Sequence, residues 1–216
     1  MDTCRNVLHP VQLSAIACLA LLCLLSHDVR GTELLSEVAL HLESDQAVAI
    51  SRLSGRREIP LGAQEIVLSS DTNGINGIVV TSRRLLGFSS RALTWSKKEL
   101  DVNEKVIERK ILPTFSLIRT DRHLYGFRGV NGLWLEEPLG VREKVTRFHS
   151  NDYGAVFVTT ERLVGFTPLL GGFASKSLDL HEGIVGVDNE NGLIVVSTNR
   201  RTLVFGTRLS GWEEFE

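Results

Sequence analysis

Residues 78–88 read IVVTSRRLLGF, and the pattern returns as LIRTDRHLYGF at 117–127, VFVTTERLVGF at 156–166 and VVSTNRRTLVF at 195–205. Each copy holds a β-branched and aromatic run, a polar pair and a second apolar run. That is the signature of a β-hairpin, not of an amphipathic helix. Phe88, Phe127, Phe166 and Phe205 recur every 39 residues, and so do the aromatics Trp95, Trp134, Phe173 and Trp212. Leu61, Leu100, Leu139 and Leu178 keep the same step, each followed by a turn-former: Gly62, Asp101, Gly140 and Asp179. Glu65, Glu104, Glu143 and Glu182 form a fourth column, and Thr81, Thr120, Thr159 and Thr198 a fifth. Columns in one gapless register from Leu61 to Trp212 mark a tandem repeat.

Outward from the hairpin, each unit adds a short aromatic-bearing strand, the Leu-Gly or Leu-Asp turn, and a further strand near the Glu. Four short strands per unit result. Asn-Gly pairs beginning at Asn73, Asn76, Asn131 and Asn191 predict additional tight turns. Helical periodicity is absent beyond the N-terminus, so the expected class is all-β. One four-stranded unit cannot bury both of its faces, which requires neighbouring units to stack.

The repeating hairpin of type VVxTxxRLxGF, followed by a Trp-bearing strand, resembles the blades of the β-propeller superfamily. The likeness is to quinoprotein-like and WD-repeat-like blades, runs over about residues 36 to 216, and identifies no subfamily. It implies a ring of blades of about 39 residues. Four full units cover Leu61 to Glu216, and Glu37 to Pro60 reads as a degenerate fifth (EVALHLES, AVAISRLS, REIPL). At a strict 39-residue step Ala49 stands where Phe88 does and Arg56 where Trp95 does. The expectation is therefore five blades, the first lacking one strand. Four blades with an N-terminal cap, and a half-ring completed by dimerisation, are the alternatives.

Composition narrows the partners. The chain has 216 residues, net charge -2 and 43% hydrophobic residues, and it has no basic stripe of the kind that nucleic acid requires. All three cysteines (Cys4, Cys18, Cys23) precede residue 24, inside or beside the apolar run Val11–Leu25. That run is shorter than the roughly 20 residues of a membrane span and matches a signal-peptide core. Val29 and Gly31 then suit cleavage before Thr32. Residues 1–31 are read as a signal peptide, or an N-terminal membrane anchor if uncleaved, and 32–216 as the propeller domain. Cleavage would leave an extracytoplasmic chain, secreted or periplasmic, with no thiol.

The Glu column is the first place to look for chemistry. Glu65, Glu104, Glu143 and Glu182 form at best an axial ligand ring. The basic hairpin residues beside them (Arg83 and Arg84, Arg122 and His123, Arg162, Arg200 and Arg201) suggest instead a structural pairing with those carboxylates, if both lie on the same face. The acids outside the register (Asp71, Asp121, Asp152, Asp188) are candidates only as the cleft carboxylates of a glycosidase-like propeller, and the six His (His9, His27, His41, His123, His149, His181) share no column and show no ligand spacing. No catalytic residue, metal or cofactor is expected. The apolar loops Thr167–Gly172 and Gly129–Leu135 are the expected partner contacts, because function in repeat folds sits in unit-specific loops. The resulting expectation is an exported, non-enzymatic propeller acting as a protein-interaction or scaffold module. The alternatives are a carbohydrate- or small-ligand-binding propeller and a glycoside-hydrolase-like one.

Overall fold

The computed structural model describes residues 36–207 and 211–215. The expected signal or anchor, residues 1–31, lies outside the described residues. The described residues belong to one compact unit, residues 34–216.

Among the described residues, nineteen strands form five antiparallel sheets in chain order. The first sheet has three strands, β1 (Val38–Leu42), β2 (Gln46–Ser51) and β3 (Gly55–Pro60). The second holds β4 (Val67–Asn73), β5 (Asn76–Thr81), β6 (Arg84–Ser89) and β7 (Thr94–Glu99). The third holds β8 (Val106–Ile111), β9 (Phe115–Thr120), β10 (His123–Arg128) and β11 (Leu133–Pro138). The fourth holds β12 (Val145–Ser150), β13 (Ala155–Thr159), β14 (Arg162–Phe166) and β15 (Phe173–Ser177). The fifth holds β16 (Ile184–Glu190), β17 (Leu193–Thr198), β18 (Thr202–Thr207) and β19 (Gly211–Phe215). Each is an up-and-down meander of neighbouring strands, the order of a propeller blade. The fold is of β-propeller class.

The core lies between sheets. In β5 and β13 every residue is buried, because both faces of the strand are covered, whereas the outer strands β7, β11 and β15 alternate. Ile78, Val80 and Leu85 of the second sheet share a cluster with Ile118, Tyr125 and Phe127 of the third. Leu117 and Leu124 of the third meet Phe157, Val164 and Phe166 of the fourth. Val156, Val158 and Leu163 of the fourth meet Ile194, Val196, Leu203 and Phe205 of the fifth.

A small-on-large rule sets how closely the sheets approach. A side chain on Gly87 would overlap the ring of Phe127, one on Gly126 the ring of Phe166, and one on Gly165 the ring of Phe205. Each Phe also packs on the aromatic across its own hairpin, with centroids 5.0 Å apart for Phe127 and Trp134 and 4.9 Å for Phe205 and Trp212.

Two sequence expectations need correction. In the first sheet Ile50, not Ala49, stands opposite Arg56 and takes the Phe place, as Phe88 stands opposite Trp95 in the second. Ala49 takes the glycine place and packs with Phe88 and Val38. The cause is a turn one residue shorter between β2 and β3, which shifts the register by one and reverses the face of every side chain before it. The second correction concerns Asn76-Gly77, which opens β5 instead of forming a turn. Asn73 already pairs with Asn76 across a two-residue turn whose Gly74 has φ 53°. Asn76 is buried and its Nδ2 donates to the Leu112 carbonyl at 2.7 Å. The Asn191-Gly192 pair is a two-residue hairpin turn, with φ 49° and 84°.

Candidate functional site

The Glu column lies at one end of the sheets, where β3, β7, β11 and β15 lead into the next unit. The Glu65 carboxylate accepts from the Gly62 amide at 2.6 Å and from Arg84 Nε and Nη2, both at 2.8 Å. Arg84 Nη2 also donates to the Pro60 carbonyl of the preceding sheet at 2.6 Å. Glu143 with Arg162, and Glu182 with Arg201, repeat this clasp, their arginines reaching the carbonyls of Pro138 and Ser177. The Thr column completes it. Each Thr hydroxyl accepts amides of the polar pair, and its proton goes to the carbonyl closing the hairpin, as at Thr81, or to the Glu of its unit, as at Thr120.

The third sheet departs from the pattern. His123 replaces the arginine, so Glu104 accepts from Thr120 Oγ1 at 2.5 Å, lies 2.9 Å from His123 Nδ1, and accepts from Tyr125 Oη at 3.1 Å. Burial first, then the Glu104 charge, pushes the Tyr125 hydroxyl up. Burial opposes ionisation of Glu65, but the hydrogen bonds from Arg84, Thr81 and Gly62 outweigh it and hold the carboxyl at about 2. Arg201, acting against burial, holds Glu182 at about 2 as well. Both oxygens of all four carboxylates accept hydrogen bonds, and the arginines that bind Glu65, Glu143 and Glu182 tie them to a carbonyl of the preceding sheet. Asp101, Glu104 and His123 are the one group among the described residues close enough to hold a cation, and Glu104 there is already saturated.

The acids outside the register are dispersed. Asp71 pairs with Arg109 at 3.2 Å, Asp121 accepts from the Lys105 amide at 2.8 Å, and Asp188 lies in β16.

The opposite end of the sheets has a different character. Between the third and fourth sheets, four loops line an open groove of about 460 Å³. The β8–β9 turn supplies Pro113 and Thr114, β10 and its following turn Arg128 and Val130, the β12–β13 turn Asp152 and Tyr153, and the β14–β15 loop Pro168 and Leu169. The two loops expected to contact a partner are thus brought together at one groove. Asn151 fixes the Tyr153 loop by accepting the amides of Tyr153 and Gly154, both at 2.9 Å. Thr167 Oγ1 accepts the Leu169 amide at 3.3 Å. Val130, Tyr153 and Leu169 are 57%, 64% and 69% exposed and converge on this one groove. Beside them Arg128 Nε is buried without a hydrogen-bond partner among the described residues. Arg128, Tyr153 and Pro113 escape a sequence reading because they belong to no column and meet only when the turns close.

No protein-family model and no curated protein matches the sequence. Among solved structures, a chain in the crystal structure of Kap60 bound to yeast RCC1 (Prp20) is similar at 9% identity, covering 79% of this chain and 54% of its own length, with TM-score 0.39. YCF48 bound to D1 peptide is similar at 12% identity over 85% of this chain and 68% of its own, with TM-score 0.34. BamB from Moraxella catarrhalis is similar at 15% identity over 83% and 60%, with TM-score 0.34. This chain spans about half the length of the first of these.

Proposed function

We propose that the chain is an exported, non-enzymatic β-propeller that holds a protein partner in the loop groove between its third and fourth sheets. The carrying observation is that groove, where exposed Val130, Tyr153 and Leu169 converge from three loops beside the unpartnered Arg128 Nε. Apolar anchors around one polar handle are the make-up of a binding hot spot. The chemistry it favours is a segment presenting an apolar side chain next to a carboxylate, which would pair with Arg128. The polar columns support this division of labour, since they are occupied in clasping blades. Export is supported by the apolar run Val11–Leu25 and by the small residues Val29 and Gly31 ahead of Thr32.

The test is quantitative co-purification with the full chain as bait. Tyr153→Ser and Leu169→Asp should each reduce a specific co-purifying protein at least about tenfold while leaving the melting temperature within about 2 °C. Val141→Asp, an exposed change at the other end of the sheets, should leave capture unchanged. Equal capture by all four chains would refute the reading.

A further inference from the structure

Among the described residues, the stack of sheets begins and ends on faces that no neighbouring sheet buries. On the last sheet, Val195 and Val204 pair across β17 and β18 and point away from the fourth sheet. Both are half-buried, whereas Ile78, Leu117 and Val156 in the column of Val195 are buried to 2% exposure or less. Phe215 on the same face is 53% exposed. On the first sheet, Ile50 points away from the second sheet and is 47% exposed. A terminal repeat that faces water is expected to be polar on its outer side, and Val195, Val204 and Phe215 are not.

The two faces are matched, column by column, to the interface that already joins the sheets. At each internal junction a large side chain of the following sheet lies on a small residue: Phe88 on Ala49, Phe127 on Gly87, Phe166 on Gly126, Phe205 on Gly165. At the ends both members change together. The Phe place is Ile50, a smaller side chain, and the glycine place is Val204, a larger one. The neighbouring column changes with them. Trp95 Nε1 donates to the Arg57 carbonyl, and Trp212 Nε1 to the Ala174 carbonyl, so the Trp place lies over the position that Arg57, Ser96, Leu135 and Ala174 occupy. In the unpaired faces the Trp place is Arg56 and the facing position is Glu213. Only Glu58, which would face Phe215, departs from this match.

We propose that the outer face of the last sheet receives the outer face of the first sheet of a second copy of this chain. Ile50 would lie on Val204 and Arg56 against Glu213, continuing the internal junction between molecules. The contact is head-to-tail, so each copy offers one face and accepts the other. The proposal is independent of the loop groove.

Light scattering of the full chain tests it. The expected mass is twice the 23.9 kDa of one chain, or a larger multiple, falling on dilution. Glu213→Arg or Arg56→Glu alone, both at exposed or half-buried positions, should weaken association about tenfold. Val204→Glu, which places a charge in the contact, should weaken it on the order of a hundredfold. Mixing the Glu213→Arg chain with the Arg56→Glu chain should restore the wild-type mass, because both junctions between unlike chains then join opposite charges, one reversed pair and one native pair. A wild-type chain that stays at 23.9 kDa at about 100 μM would overturn the proposal, as would association that all three variants leave unchanged. If Val204→Glu fails to fold, the two charge reversals and their mixture still decide.

Discussion

Glu65 and Glu182 illustrate how much of this structure depends on single side chains. Each carboxylate is 2% exposed or less and takes both a main-chain amide and a guanidinium, so its proton affinity in the folded chain lies far below that of the unfolded chain. The folded value is about 2 against an ordinary 4.5 for both residues. A depressed carboxyl value contributes stability that is complete above the unfolded value and disappears as pH falls through the folded one. Melting temperature is therefore expected to be flat from pH 7 to 5 and to drop steeply between pH 4.5 and 2. In Glu65→Gln and Glu182→Gln chains the melting temperature should already be lower at pH 7 and the acid drop shallower. A drop of equal size in the variants would show that these clasps do not carry the acid response. The register alone sets a basic column beside the Glu column, but only the fold shows that Arg84 and Arg201, not Arg83 and Arg200, meet the carboxylates. The Thr hydroxyls are harder to interpret, because a β-branched residue at a strand end looks the same whether or not its oxygen closes the hairpin.

Between elements, the controlling contact is an aromatic ring seated on a glycine. Gly126 has no room for a methyl beneath Phe166, so Gly126→Ala should cost about 1–3 kcal/mol in urea unfolding. Gly172 has nothing near its Cα, and Gly172→Ala should stay within about 0.5 kcal/mol of wild type. Equal effects at the two sites would mean that the sheets are not stacked in this register. Strand pairing was legible in the sequence because the Phe and Trp columns keep a 39-residue step across Leu61 to Trp212. The first sheet was not, since a turn shortened by one residue exchanges the roles of Ala49 and Ile50 while leaving Arg56 in place. A period fitted to four copies has no means of detecting such a slip in the fifth.

At the scale of the molecule, the repeat separates support from recognition. One end of the sheets carries the Glu-Arg clasps, and the other carries loops whose sequences differ from unit to unit. The loops Gly129–Leu135 and Thr167–Gly172 stand out in the sequence as apolar, but their meeting with Tyr153 and Arg128 depends on two sheets lying side by side. Binding through that groove is the central claim, and site-specific photocrosslinking addresses it most directly. A photoreactive phenylalanine would replace Tyr153 in the full chain within its host cell, with a control chain carrying it at Val141. The account requires one discrete protein adduct from position 153, lost when Arg128→Glu is added and absent from position 141. No adduct at 153, or the same adducts from both positions, would contradict it.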